Sequence, residues 1–342
     1  MTASSRPNRA PLRFAHDSRP RFLLGRVAQY VLVLWVALTL NFALPRVAPG
    51  SPLQYLFGDE VNAVTPERQV EILRQFGLDQ PVLAQYTRYW ADLARFDLGT
   101  SVRFGQPVAE VLGDRIGWTL LLIGVATVLS TLIAITAGTV AAWKRGSARD
   151  TGLMVGILTA ESMPSFWVAL ILISVFAAQL GWFPTFGAVS LVGGGGVADT
   201  AAHLVLPVLT LVLTETGSLF LLVRGSLLST LGEDYTLMAE AKGASQRRVV
   251  FRHGLRNALL PAWTSVTLDL GRRVGGVVVV ETVFAYPGMG RAIYESVLAR
   301  DYPLLQGAFV VLTVAIVAAN LLADVTYPLL DPRVRRPAGA TA

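Results

Sequence analysis

Four charged residues fall near the middle of long apolar stretches of this 342-residue sequence: Glu215, and Asp269, Arg272 and Arg273. A carboxylate three and four residues ahead of two guanidiniums shares their helix face, so Asp269 can pair with either arginine. In a hydrocarbon surrounding, a charged side chain costs about 2.5–3.5 kcal/mol even on the lenient scale, so such groups are expected to face a partner or a cavity. Two chemistries follow. One is an arginine that lines a polar pathway and meets the carboxylate of a passing solute. The other is an internal set of two acids and two bases that neutralises itself.

A second set of residues falls in a polar stretch: Asp234, Tyr235, Ala239, Ala241, Lys242, Gly243 and Ser245, then His253, Arg256, Asn257 and Pro261. Asp234 can cap a short helix. Gly243 suits the left-handed residue that ends it. Ser245 can cap a second helix that runs through Val249, Val250 and Phe251 towards Pro261. Two short helices joined at a glycine form a knob that can pass a rigid-body push to the elements on either side. The same spacing also fits an amphipathic loop that holds anionic lipid through its five basic residues, Lys242, Arg247, Arg248, Arg252 and Arg256.

Other chemistry is poorly provided for. There is no cysteine, and the three histidines (His16, His203, His253) are scattered, so no metal site is expected. No Gly-x-Ser-x-Gly occurs, and no histidine within a span is placed to act as a base. Neither lysine, Lys144 or Lys242, follows a phosphate-cradling glycine pattern. The run Gly193–Gly196 has no preceding strand and no following Lys-Ser/Thr, and reads as a linker. This chain is therefore expected to bind no cofactor, and any ATP and Mg²⁺ to sit on another chain. The net charge of +6 lies between apolar spans rather than on one polar domain, which argues against nucleic acid.

The elements that must position these residues are membrane spans. Hydrophobic residues make up 53% of the chain and charged ones 15%, against about 25% charged in soluble domains. Six stretches reach the roughly 20 apolar residues a bilayer needs: near 24–45, 117–142, 152–180, 204–229, 259–284 and 304–328. With the N-terminus in the cytosol, 17 Lys and Arg fall on the inner side, counting Arg26 at the inner end of the first span, and nine outside. Seven of those nine share the long segment 46–116 with as many acids or more. The positive-inside bias therefore places both termini, 143–151 and 230–258 in the cytosol. The fourth and fifth spans then run in opposite directions and bring Glu215, Asp269, Arg272 and Arg273 to similar depth.

Residues 1–21 read as a disordered cytosolic tail, 22–335 as one transmembrane domain, and 336–342 as a second cytosolic tail. Within the external segment 46–116, Thr65-Pro66-Glu67 opens a helix carrying Val70, Leu73 and Phe76, with Gly77 as its cap. A second amphipathic stretch carries Leu83, Tyr86, Trp90 and Leu93. This segment reads as a small helical cap over the pore, a surface compatible with docking of an external partner.

The stretch 234–261 resembles the ATPase-coupling motif of ABC importer permeases, the binding-protein-dependent inner-membrane components, in the form used by their dipeptide/oligopeptide/nickel branch. That form is D-Y-x-x-x-A-x-A-K-G-x-S followed by V-x-x-x-H-x-x-R-N-A-L-x-P, supplied here by Asp234 to Ser245 and Val249 to Pro261. The general motif opens Glu-Ala-Ala, where this chain has Leu237, Met238 and Ala239, a departure that favours the peptide branch over the sugar branch. Further similar segments are Ala48–Pro52, Gly77–Pro81, Asp97–Ser101, Pro164–Trp167, Val280–Phe284, Pro287–Gly290, Arg300–Pro303 and Leu330–Arg333. The resemblance implies an all-α membrane protein with six transmembrane helices in the type I importer permease fold. It implies a bacterial inner-membrane subunit that pairs with a second, homologous permease, with two cytosolic ATPase subunits or a fused pair, and with an extracytoplasmic solute-binding protein. It implies inward transport of peptides or similar small solutes by alternating access. The competing class is a secondary transporter or channel not coupled to ATP, which should show internal repeats that this sequence lacks.

Overall fold

A computed structural model of the chain describes residues 18–47, 65–75, 79–190 and 195–330. The side chains of 18–24, 44, 45, 72, 75, 267–272, 274 and 322–330 lie outside that description. So do most of the expected N-terminal tail, the segments 48–52 and 77–78, and everything after Leu330.

The described residues are helical, with a single isolated bridge between Thr100 and Pro107 and no strand. In chain order they form α1 (Ser18–Val47), α2 (Pro66–Gln75), α3 (Val82–Ala94), α4 (Val108–Trp143), α5 (Ala148–Ser162), α6 (Ser165–Gln179), α7 (Val197–Glu215) and α8 (Gly217–Leu231). There follow α9 (Asp234–Ala241), α10 (246–254, whose second part is a π-helical turn, Val249–Gly254), α11 (Leu255–Val283), α12 (Met289–Leu298) and α13 (Tyr302–Leu330).

Among the described residues, four helices are long and apolar enough to cross a bilayer: α1, α4, α7 and α13. Two of the other expected spans are not single straight helices. The third is a bent pair, α5 and α6, turning by 101°. Pro164 is the cause: its ring pushes the preceding residue out of the helical region, and Met163 is extended at φ −81, ψ 138. The fourth breaks at Thr216 into α7 and the shorter apolar α8. Pro207 and the back-bonded hydroxyls of Thr210, Thr214 and Thr216, each donating to the carbonyl four residues earlier, loosen that stretch. The fifth, α11, is 29 residues long and carries the charged residues discussed below.

At 36 residues and about 1.5 Å per residue, α4 is longer than the hydrocarbon core of roughly 30 Å. Its two ends therefore lie in different clusters. Val108, Val111 and Leu112 pack with Met289, Leu304 and Ala308 at one end. At the other, Ala142 and Trp143 meet Leu227, Val250 and Ala258. Between them α4 crosses α8 closely: a Cβ on Gly138 would lie 3.0 Å from Val223 Cβ and 3.1 Å from the Phe220 carbonyl. A small residue lets the two backbones approach, which is how helices pack where lipid removes the hydrophobic drive. Many large apolar side chains face outward, Leu32, Leu40, Leu120, Val128 and Leu132 among them.

Candidate functional site

The polar stretch 234–261 folds as two short helices and the start of α11. Helix α9 ends in a left-handed residue, Gly243, at φ +82. Ala244 N–H donates to the Ala239 carbonyl (3.1 Å) and Gly243 N–H to the Glu240 carbonyl (2.8 Å). These are the two bonds of a Schellman closure, and the positive φ explains a glycine there. The N-terminal side differs from expectation. Asp234 is the first helical residue rather than the cap, and the capping position falls to Glu233, whose side chain makes no cap bond. Instead the buried Thr236 hydroxyl donates to the Glu233 carbonyl (2.7 Å), turning the chain out of α8. Ser245 does precede the second helix, but its hydroxyl makes no cap bond.

The two halves of the stretch are tied together where Asn257 Nδ2 donates to the Tyr235 hydroxyl at 2.8 Å. Asp234, Ala241, Lys242, Gly243, Ser245, Arg256 and Pro261 are exposed, while Ala239 and His253 are half-buried. The seat beneath them is apolar. Val249 and Val250 are buried, Phe251 meets the edge of Trp143 with ring centroids 6.0 Å apart, and Trp143 Nε1 donates to Gln246 Oε1 (3.3 Å). Gly254 lies against Leu227 and Leu231 so closely that a Cβ would be 2.9 Å from Leu227 Cδ1. Sequence reasoning passed over Trp143 and Gly254, which are the contacts that seat the knob.

It also passed over a brace beside the knob. Arg224 on α8 grips Asp150 on α5 with two parallel bonds, Nε to Oδ1 and Nη2 to Oδ2, both 2.8 Å. Asp150 Oδ2 also accepts from Gly146 N–H at 3.0 Å, across a turn in which Gly146 has φ +76. A fork-to-carboxylate bond fixes direction as well as distance. The turn between α4 and α5 is thereby pinned to the helix that leads into the knob.

The charges placed at mid-span come together in part. Arg273 Nη1 donates to Glu215 Oε2 at 2.8 Å and to Ser130 Oγ at 3.3 Å. Arg273 is 8% and Glu215 19% exposed at the side chain, so the pair is shielded. Gly276 makes room for it: a Cβ there would lie 2.9 Å from Glu215 Oε1. Asp269 and Arg272 lie on the same helix, with their side chains outside the described ones. Glu161 is a further carboxylate, lying against Gly217 at the start of α8. It accepts the Ser218 N–H (2.9 Å) freed by the break at Thr216.

The far end of α11 is organised by Glu281, which is fully buried. Its Oε1 accepts from the Thr119 hydroxyl (2.6 Å), and its Oε2 from the backbone N–H of Gly290 (2.7 Å) and Arg291 (3.2 Å). Thr119 Oγ1 accepts in turn from Met289 N–H (2.8 Å). The carboxylate thus satisfies the N-terminus of α12, whose first N–H groups have no partner within the helix. Burial, and next the Glu281 carboxylate, push the Tyr286 phenol above its ordinary pKa. Among the described residues, no three His, Asp or Glu side chains converge as a metal site would need.

Comparison with known proteins agrees with this architecture. The family model described as "Binding-protein-dependent transport system inner membrane component" matches residues 134–336. The oligopeptide transport system permease protein AppB of Bacillus subtilis is 36% identical over 314 residues, covering 92% of this chain and 98% of the relative. A putative peptide transport system permease protein of Brucella abortus is 37% identical, over 92% and 98% of the two chains. The dipeptide transport system permease protein DppB of Alkalihalophilus pseudofirmus is 33% identical, over 92% and 99%. An inward-facing structure of the MetNI methionine ABC transporter superposes with a TM-score of 0.54 at 16% identity, covering 65% of this chain and 96% of that one, a likeness of fold.

Proposed function

The chain belongs to the family of binding-protein-dependent transport system inner membrane components, and we propose that it forms one half of the membrane pathway of an ATP-driven importer for peptides or similar small solutes. A second, homologous permease supplies the other half. Two cytosolic ATPase subunits, which hold the ATP and Mg²⁺, dock on this chain and on its partner. A solute-binding protein delivers cargo at the outer face. Both termini and the segment 230–258 lie in the cytosol.

The observation that carries this reading is the construction of the knob. Its outer side is exposed, with Leu237 and Met238 open to contact. Its inner side is locked to the ends of α4, α8 and α11 through Trp143, Leu227 and Ala258. A push on the exposed side therefore moves three helices at once, because packed helices shift as rigid bodies rather than deform. Closure of the ATPase dimer supplies the push, and the pathway then opens alternately to each side.

The experiment is reconstitution of the full assembly in lipid vesicles. ATP hydrolysis should rise when the loaded binding protein is added outside, and cargo should accumulate within. Hydrolysis indifferent to the binding protein would refute the importer reading. Reporter fusions at Ser147 and Gly105 should give opposite signals, and equal signals would overturn the topology.

A further inference from the structure

At the end of the bundle opposite the knob, a cavity of about 490 Å³ opens between the 103–106 turn, the start of α4 and helix α12. Arg103, Arg115 and Arg291 reach it, together with Phe104, Trp118 and Glu295. The three guanidiniums share one carboxylate unequally. Arg291 Nε is 2.8 Å from Glu295 Oε1. Arg103 Nη2 and Arg115 Nη1 stand 3.6 and 3.9 Å from Glu295 Oε2, beyond hydrogen-bonding distance. Arg103 Nη1 makes a long bond of 3.4 Å to the Glu295 carbonyl. The Arg115 side chain is only 19% exposed, yet among the described residues its guanidinium makes no hydrogen bond. Both guanidiniums lie over the Phe104 ring, 5.4 and 4.8 Å from its centroid.

The other acids nearby do not complete the set. Asp114 is exposed at the rim. Asp301 is buried and spoken for, accepting from the Ser101 hydroxyl, Arg103 N–H and Leu304 N–H. Three cations therefore face two carboxylates at the cavity, and two of the cations hold unspent donors towards it.

We propose that this cavity is a carboxylate-binding subsite that receives the free C-terminal carboxylate of a peptide cargo between Arg103 and Arg115. The proposal rests on the importer reading above for the identity of the cargo. Arginine and carboxylate match in fork geometry, and a partly desolvated guanidinium pair strengthens the contact. Phe104, Trp118 and Val111 give the adjoining side chain an apolar wall. The volume lies within the roughly 300–1,000 Å³ of small-molecule sites.

The test is equilibrium binding of radiolabelled trialanine to the assembled transporter in nanodiscs, without the binding protein. Binding should saturate, and trialanine amide should compete about ten-fold more weakly or worse, as expected when a charge-assisted pair is lost. The Arg103→Gln/Arg115→Gln variant should lose a similar factor. If that variant fails to co-purify with its partner permease, Arg103→Gln alone carries the test, since its side chain is 42% exposed. An amide that competes equally, absent saturable binding, or variants that bind like the parent would each overturn the subsite. Unchanged trialanine affinity with lost stimulation by the binding protein would assign the arginines to protein docking instead, and also overturn it. ATP hydrolysis by the parent transporter is measured in parallel. If it ignores the binding protein while trialanine still binds, the importer reading fails and the subsite stands.

Discussion

The two ends of α11 use polar residues in opposite ways. Towards Leu255, the motif residues Tyr235, Lys242, Gly243, Arg256 and Asn257 are exposed, and few of their groups are spent on the chain itself. Towards Val283, Glu281 is fully buried, and its carboxylate accepts from the Thr119 hydroxyl and the Gly290 and Arg291 N–H groups of this same chain. Both ends lie within segments that resemble one transporter branch, yet the physical demand differs. An exposed surface backed by a rigid apolar seat is suited to another protein. A buried carboxylate that accepts from one hydroxyl and two N–H groups holds its own fold in register, because each orphaned donor would cost about 1–3 kcal/mol.

Four substitutions can break or sharpen that contrast. The largest loss of stability is expected at Gly290→Val. A Cβ there would lie 2.5 Å from Val278 Cα, which is backbone and cannot step aside, so the cost should reach about 3 kcal/mol or more. Thermal unfolding of the purified transporter should drop or the subunit should vanish from membranes. Glu281→Ala comes next, at about 2–3 kcal/mol, since the Gly290 and Arg291 N–H groups lose their buried acceptor. A melting temperature unchanged by Glu281→Ala would show that water replaces the carboxylate and that this end is not an internal clamp.

Gly243→Val should behave differently. Nothing lies within 4 Å of a Cβ at this position, so only the left-handed backbone is penalised, by about 1–2 kcal/mol. Assembly should survive while cargo-stimulated ATP hydrolysis is lost. Disassembly of this variant would place the two ends of α11 in one class. The smallest effect is expected from Tyr235→Phe, which removes one half-exposed hydrogen bond to Asn257 worth less than about 1 kcal/mol. Its melting temperature should match the parent, and any deficit should appear only as weaker coupling between hydrolysis and uptake.

Local chemistry was legible in the residues. Apolar runs of bilayer length mark α1, α4 and α13, and a glycine after a short helical pattern marks the closure at Gly243. The depth shared by Glu215 and Arg273 follows from counting along two antiparallel spans, and the structure joins them at 2.8 Å. Residue types and spacing therefore settle the membrane setting, the helical class and the closure at Gly243, but not the caps expected of Asp234 and Ser245. Tertiary structure alone decided the rest. Arg224 meets Asp150 across 74 positions and Thr119 meets Glu281 across 162, pairings that depend on which helix faces are brought together. The bend at Pro164 and the break at Thr216 were hidden because hydropathy sums over a window and does not register the loss of one backbone hydrogen bond. A helix in lipid must satisfy each such group internally. The break at Thr216 is tolerated because Glu161, 57 residues away, accepts the N–H of Ser218.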